Sequence, residues 1–333
     1  MKIIAFLLTI IIFSACSINP VNEFEKDKSF PKVKTLSDYE ESIFLPALET
    51  AFNNKKNGIY AASLLFAWEE IRNEISLPIE MFTSDDLAVM NNSNSYKNVL
   101  ARDEYFTSVM IEDSIIEAYA YFKKSLPFII PLEKDDIPLQ FLDEKVISFG
   151  FDGYNETAGI IYYQNDDDFA IRLYPKEKAH EIVLMKSQFS DNLSLLAEIK
   201  KLEKNDSIFR ENRNNKNDWK YYFNDEDRVS IPIIEFNIET NYSQIEGSYF
   251  STSKNLYKVQ TAYQRTAFVL NEKGAEVESE AVMEAATEEM EKELPKPKRM
   301  IFDKPFLILL KRKDSNHPYF AMYVSNSELM KKK

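Results

Sequence analysis

The feature that most constrains this fold is a series of short apolar runs that begins after Gln140. Four of these runs lie at residues 146–149, 159–163, 169–174 and 181–185. They are rich in β-branched and aromatic residues, and polar clusters separate them, which is the pattern of neighbouring strands in an antiparallel sheet. The second half of the chain is therefore predicted to be mainly β-sheet.

The end of the chain carries the clearest of these signals. Residues 306–310 and 319–324 are continuous apolar runs around a polar turn, which predicts a hairpin that is buried on both faces. A further strand is predicted at residues 228–233. One helix is predicted at residues 193–202, and residues 203–219 are predicted to be a solvated loop because Asn, Lys and Arg crowd that segment.

The first half of the chain has a different period. Apolar residues recur at helical spacing between residues 36 and 75, which predicts two helices separated by a turn at residues 53–58. A loop is predicted at residues 84–98 and another helix at residues 113–124. The predicted class is therefore α+β, with helices mostly in the N-terminal half and mixed or antiparallel sheets in the remainder.

Composition excludes several classes of function. The 54 acidic residues exceed the 41 basic ones, giving a formal charge of −13, which argues against a nucleic-acid partner. The six glycines have neither P-loop nor dinucleotide-binding spacing. Two histidines and one cysteine cannot build a three-His or Cys-rich zinc site. No cofactor and no metal are predicted.

Enzymatic activity is not expected either. His180 is the best catalytic candidate, but its position at the entrance of a strand favours a surface turn. His317 precedes Pro318 in the predicted hairpin turn, where a turn role is favoured. No spacing among the acidic residues singles out a carboxylate pair, so no catalytic residue is assigned.

The amino terminus is predicted to be an export signal. Residues 1–15 contain Lys2, an apolar run and two small residues before Cys16, and the run is too short to span a bilayer. The segment around Cys16 resembles the bacterial lipobox, so Cys16 is predicted to be lipidated, on the periplasmic face or on the cell surface. The alternative is an ordinary signal with an incidental cysteine. Residues 16–35 would form a polar tether and residues 36–333 a single domain.

Four motifs in the second half of the chain occur in a recognisable order. Residues 229–239 precede Tyr242, residues 263–276 end in an Asn-Glu-x-Gly-x-Glu sequence, residues 302–311 contain Phe-x-x-Pro-Phe, and residues 320–326 follow. In this order they resemble the serpin family, and the resemblance covers residues 169–326. Ahead of that region, Asn57 and Ser63 are the best match to the family's early Asn-x-x-x-Ser-Pro-x-Ser element, with alanines at the Ser and Pro positions.

The resemblance implies a reactive-centre-like loop at about residues 274–301. In an inhibitory serpin a protease cleaves this loop, and the hinge end then inserts as a strand into the central sheet. The hinge residues would be Glu272, Gly274, Ala275, Val277, Ser279 and Ala281. From residue 275 to 281, small or apolar residues alternate with glutamates, and this alternation suits a strand that has one buried face.

Two questions about the loop stay open in the sequence. Residues 277–294 also have strong helix propensity, which would oppose insertion. Family spacing places the scissile bond near Thr287, Glu288 or Glu289, whereas Met290, Lys292 and Arg299 are alternatives.

The predicted function is therefore inhibition of a serine protease or, as an alternative target, a cysteine protease, by a lipid-anchored monomer. The competing prediction is a noninhibitory surface lipoprotein that serves as a binding or scaffold module.

Overall fold

The computed structural model of the chain describes residues 30–75, 77–112, 115–214, 217–274 and 296–333. In these ranges there are three α-helices, which are α1 (Ser63–Glu74), α2 (Asp85–Asn92) and α3 (Leu195–Glu211). Two short 3-10 helices cover Leu36–Asp38 and Asp218–Tyr221. The remaining regular structure is β-sheet, so the α+β class is observed with few helices, and the longest helix lies in the second half of the chain.

The largest sheet has seven strands and forms the centre of the core. Its order is β12-β13-β14-β22-β23-β4-β2. The strands are β2 (Ser42–Phe44), β4 (Asn57–Ala61), β12 (Ala158–Asn165), β13 (Asp168–Leu173), β14 (His180–Lys186), β22 (Phe306–Arg312) and β23 (Phe320–Val324). Neighbouring strands are antiparallel except for β2 and β4, which are parallel. The hairpin predicted at the end of the chain is confirmed as β22 and β23.

A four-stranded sheet packs beside it, with the order β21-β16-β11-β8. Its strands are β8 (Glu133–Lys134), β11 (Ser148–Asp152), β16 (Arg228–Pro232) and β21 (Arg299–Ile301).

A three-stranded sheet, β1-β17-β20, contains the strand that leads into the predicted loop. These strands are β1 (Lys34–Thr35), β17 (Ile234–Asn241) and β20 (Tyr263–Leu270), and β17 and β20 are antiparallel over eight residue pairs.

The remaining strands form small sheets. The hairpin β6-β7 is a sheet of its own, and the other three small sheets are β3-β15, β5-β18-β19 and β9-β10. Their strands are β3 (Ala51–Asn53), β5 (Ile79–Phe82), β6 (Tyr105–Glu112), β7 (Ile115–Phe122), β9 (Leu139–Phe141), β10 (Glu144–Val146), β15 (Asn192–Ser194), β18 (Tyr249–Thr252) and β19 (Leu256–Lys258).

Two helices predicted in the first half are wrong. The first of the pair predicted between residues 36 and 75 is replaced by the strands β2 and β3. β4 begins inside the predicted turn, and it is buried along its whole length between β23 and β2. The second of the pair is confirmed as α1. The helix predicted at residues 113–124 is β7, in which Ile116, Ala118, Ala120 and Phe122 recur every second residue, the period of a strand.

Two predicted loops contain helices. Residues 84–98 were expected to be a loop, but α2 begins after Ser84, whose hydroxyl oxygen accepts a hydrogen bond from the backbone N–H of Leu87. The helix predicted at residues 193–202 is α3, which continues to Glu211 into the predicted charged loop. Phe209 explains this extension, because its buried ring stacks on Tyr221 with 4.1 Å between the ring centroids.

Candidate functional site: a cleft beside the hinge turn

A cleft of about 640 Å³ lies between β7 and β20. In the described ranges no strand pairs with the edge of β20 that faces away from β17, and β7 pairs only with β6. The lining comes from both strands and from the start of α1, and it includes Ala61, Ser63, Leu64, Ala67, residues 118–124, residues 263–267 and Phe320. The cleft thus separates two sheet edges above a helix.

Gln264 fixes β20 above the start of α1. Its Nε2 donates hydrogen bonds to Ser63 Oγ at 3.0 Å and to the carbonyl oxygen of Ala61 at 3.3 Å. Its Oε1 accepts a hydrogen bond of 2.5 Å from the hydroxyl of Tyr242. Burial raises the pKa of Tyr242, so this hydroxyl stays a donor at neutral pH. Gln264 belongs to the motif of residues 263–276, but no local sequence pattern predicts the bridge that it forms.

The early element predicted around Asn57 lies at the same place. Asn57 is fully buried at the start of β4, and its Oδ1 accepts hydrogen bonds from the backbone N–H groups of Ser325 and Asn326. Four residues later the chain reaches Ala61, and Ser63 follows, so both line the cleft. The early element matched at Asn57 and Ser63 therefore lies beside the cleft.

The chain reverses direction at the end of β20. The N–H of Gly274 donates to the carbonyl oxygen of Asn271 at 3.1 Å, and these two residues form an antiparallel bridge. Gly274 has a φ of +81°, in the left-handed region that favours glycine. The N–H of Lys273 donates to Asn271 Oδ1 at 2.9 Å. We call residues 271–274 the hinge turn.

The hinge turn is attached to the segment that follows β7. The N–H of Phe128 donates to the carbonyl of Lys273 at 3.1 Å, and the N–H of Leu132 donates to the carbonyl of Glu272 at 2.7 Å. A Cβ added at Gly274 would lie 2.5 Å from the nitrogen of Phe128. Lys134 also forms an ion pair of 3.1 Å with Glu272. One end of the cleft is therefore closed by contacts between its two sides.

The base of the β6-β7 hairpin is held by one carboxylate. Glu104 precedes β6 and contacts Lys124, which follows β7, as well as Arg312 of β22 at 2.9 Å and His180 of β14 at 2.8 Å. Burial raises the pKa of Glu104, but hydrogen bonds from these three side chains and from a backbone N–H outweigh it and lower the pKa to about 2. This cluster was not predicted, because its members are far apart in sequence.

The predicted surface position of His180 is wrong. Its side chain is fully buried, and its ring packs edge-on against Tyr319. Glu104, Glu177 and His180 could offer three donor atoms to a metal ion within 4.8 Å of one another. However, Lys124 and Arg312 already contact the Glu104 carboxylate, so positive charge from the protein occupies the position that a metal ion would need.

The described chain that follows the predicted loop is anchored by a buried ion pair. Lys298 is fully buried, and its Nζ lies 2.5 Å from the Asp227 carboxylate, which is also buried. Its backbone N–H donates to the other oxygen of Asp227 at 2.7 Å. Burial lowers the pKa of Lys298, and the hydrogen bond that its Nζ donates to Asp227 opposes this shift. Two contacts with Asp227 therefore fix the chain at Lys298.

The predicted site residues fall in three places. Glu272 and Gly274 lie in the hinge turn, beside the cleft. Arg299 lies in β21, where its N–H donates to Asp166 at 2.9 Å, and it stays a prediction as a cleavage site. The others lie outside the described residues, namely Cys16, Ala275, Val277, Ser279, Ala281, Thr287, Glu288, Glu289, Met290 and Lys292.

The described helices are all too short or too polar to cross a membrane. No protein-family model matches the sequence, and no curated protein matches it.

The structure is similar to three solved serpins. They are Serpin48 from the insect Tenebrio molitor (16% identity, 63% of this chain and 55% of that chain, TM-score 0.37), thyroxine-binding globulin in complex with thyroxine (14%, 65% and 59%, TM-score 0.37) and human glycosylated kallistatin (13%, 63% and 55%, TM-score 0.38). This chain spans less than two thirds of the length of each. At these identities and TM-scores the similarities assign neither a function nor a partner.

Proposed function

We propose that this protein inhibits serine-type endopeptidases as a suicide substrate, by loop cleavage and strand insertion between β7 and β20. The observation that carries the proposal is the hinge turn. It reverses the chain at the end of β20, and because β17 occupies the other edge of β20, a continuing strand would lie in the cleft.

The register of the turn agrees with the alternation in the hinge sequence. If antiparallel pairing with β20 continued beyond the bridge between Asn271 and Gly274, Val277 would lie opposite Phe268, which is buried. Glu280 would lie opposite Arg265. Small residues would then face α1, whereas the glutamates would face outward. Opposite charges on directly facing strand residues stabilise a sheet by about 0.2–1 kcal/mol per pair.

Two contributions to the free energy would favour insertion of a strand into the cleft. A new strand would satisfy backbone groups along two sheet edges and would bury apolar surface above α1. In the proposed mechanism the serine hydroxyl of the protease attacks a peptide bond of the loop. The ester forms as the C–N bond breaks, and the protonated new amino terminus leaves. The inserting strand then carries the bound protease away before water hydrolyses the ester. The chain thereby traps the protease and performs no turnover of its own.

The test is the formation of a covalent complex. The soluble form beginning at Ser17 would be incubated with serine proteases of trypsin-like and glutamate-specific types, because the candidate bonds follow both kinds of residue. We expect a complex that survives denaturing electrophoresis, together with loss of protease activity near one-to-one stoichiometry.

A pair of variants makes this test specific. Val277→Glu adds a carboxylate on the inward face and should convert the inhibitor into an ordinary substrate, whereas Glu276→Gln on the outward face should leave inhibition intact. Cleavage without any trapped complex for the parent protein and all proteases tried would overturn the proposal.

A second function is favoured by one specific observation. The hydrogen bonds from Phe128 and Leu132 to the hinge turn join the two sides of the cleft, and insertion has to break or move them. If they persist after cleavage, the protein would be a noninhibitory binding or scaffold module, and the loop would be cut like any exposed segment.

Export and lipid attachment are a separate part of the proposal. We propose that Cys16 is acylated and holds the protein at a bacterial membrane, since small residues precede the single cysteine of the chain at the end of an apolar run. Mass spectrometry of the membrane fraction should find two or three acyl chains on an amino-terminal Cys16. A Cys16→Ser variant should be released into the soluble fraction.

A further inference from the structure

The first described residues form a strap across the sheet that carries β20. Lys34 and Thr35 pair in parallel with β17 at its outer edge. Toward the amino terminus the chain then leaves this edge, and the carbonyl oxygen of Pro31 accepts a hydrogen bond of 2.9 Å from Asn237 Nδ2. Phe30 reaches the cleft and forms part of its wall. We call residues 30–35 the strap.

Asn237 connects the strap to the strand that borders the cleft. It pairs with Ala267 of β20, and its side chain lies on the outward face because its neighbours Phe236 and Ile238 are buried in the core. Its Oδ1 accepts a hydrogen bond of 3.0 Å from Arg265 Nε. The amide side chain of Asn237 therefore binds both the strap and β20. These hydrogen bonds explain how a polar side chain that is only 4% exposed is satisfied.

The attachment of the strap is weak compared with that of the strands beneath it. The strap contributes two residue pairs to the sheet, whereas β17 and β20 share eight. Val33, Lys34 and Thr35 are exposed. A segment with few buried contacts opens locally at a small fraction of the global free energy of unfolding. The strap can thus leave its place while the sheet stays folded.

We propose that the strap is a plug, in which Phe30 covers the outer side of the cleft in the intact protein and must leave before a strand can enter. This inference rests on the proposed strand insertion. The occupant of the cleft mouth is the chain's own amino-terminal segment, because Phe30 of that segment lies in the cleft wall. The predicted tether, residues 16–35, includes the strap, so the proposed insertion and the proposed membrane attachment would share one element.

The plug is tested first in uncut protein, without any loop cleavage. The soluble form from Ser17 contains no cysteine, because Cys16 is the only one in the chain. An Ala67→Cys substitution places a thiol in the lining of the cleft, and its reaction with a maleimide reports access. We expect Phe30→Ala to speed this labelling several-fold, and the matched strap variant Val33→Ala, outside the cleft, to leave it unchanged. Equal labelling rates in all three proteins would overturn the plug.

The second measurement follows insertion itself. After the loop is cut, the gain in melting temperature should develop several-fold faster in Phe30→Ala than in the parent or in Val33→Ala. Identical rates in all three would overturn the plug and leave insertion intact. If no protein gained stability, the proposed insertion would fail instead, and the labelling experiment would still decide whether Phe30 covers the cleft.

Discussion

The strands at the centre of the seven-stranded sheet are buried and paired on both sides, whereas strands around the cleft have an unpaired edge in the described ranges. Every residue of β14 and of β23 is buried, and each of these strands has a neighbour on both sides. Around the cleft, by contrast, a three-stranded sheet and a two-stranded hairpin face each other across about 640 Å³. In the described ranges, fully buried strands with two neighbours and strands with an unpaired edge therefore lie in different parts of one fold.

The hinge turn and Glu104 connect the two regions. The hinge turn joins the end of β20 to the segment after β7, and Glu104 ties the base of the β6-β7 hairpin to β14 and β22. If the seven-stranded sheet is the fixed part, changes there should cost global stability. Changes around the cleft should instead alter local opening and the response to loop cleavage.

The largest expected effect comes from a pair of phenylalanines. Phe306 is fully buried in β22, whereas Phe106 on β6 is 54% exposed. We expect Phe306→Ala to lower the free energy of unfolding by about 3–5 kcal/mol, from lost burial and a new cavity. Phe106→Ala should change it by no more than about 0.5 kcal/mol. Denaturant unfolding of both variants measures the difference, and equal losses would contradict the division into two regions.

Glu104→Gln should have the next largest effect. Its folded-state pKa of about 2 is depressed below the ordinary value of 4.5, so its contribution is present above about pH 4.5 and is lost as the pH falls toward 2. The shift corresponds to about 3 kcal/mol at pH 7. Urea unfolding between pH 2 and 7 should show the parent and the variant converging in acid.

The control for this prediction is Asp314→Asn. Asp314 binds the same Arg312 from the exposed side, at 2.9 Å, and solvent screens that interaction. We expect little change in stability. If Glu104→Gln and the parent differed equally at all pH values, the charge cluster would not be the cause.

A pair of glycines tests how closely the hinge turn approaches the segment after β7 that contains Phe128 and Leu132. Gly274 and Gly247 have nearly the same φ, +81° and +79°, but only Gly274 has backbone atoms within reach of an added Cβ. Gly247→Ala should cost about 1 kcal/mol from the left-handed conformation alone. Gly274→Ala should cost about 2 kcal/mol, because the added Cβ would also meet the backbone of Phe128, and it should speed amide hydrogen exchange at Phe128 and Leu132. Identical exchange in both variants would argue against the observed contact.

The smallest expected effect is that of Lys134→Ala. Its partner Glu272 belongs to the hinge turn, but the Lys134 side chain is 59% exposed. An ion pair of this kind contributes about 0–1 kcal/mol, so we expect a loss of about 0.5 kcal/mol or less that disappears in high salt. A loss above about 1.5 kcal/mol would show that this ion pair, and not the backbone hydrogen bonds, holds the turn.

The sequence predicts the strands correctly where an apolar run in the sequence coincides with a strand that is buried on both faces. The apolar runs at residues 306–310 and 319–324 predicted β22 and β23, because a strand buried on both faces needs an uninterrupted apolar run. The Gly of the predicted hinge, Gly274, has the positive φ that such a turn requires.

The candidate site was less predictable, because it depends on contacts between distant parts of the chain. The walls of the cleft come from residues 118–124 and 263–267, and the former segment was predicted to be a helix. Glu104 meets partners at positions 180 and 312, which no local pattern connects. His180 was predicted at the surface because short-range sequence does not reveal which side chains cover a strand end.

Thermal unfolding of the soluble form from Ser17, before and after limited proteolysis confined to residues 275–299, tests the central claim most directly. If the cut loop enters the cleft as a strand, the melting temperature should rise strongly, and Val277→Glu should abolish the rise although cleavage still occurs. An unchanged melting temperature after complete cleavage of the parent protein would contradict strand insertion between β7 and β20.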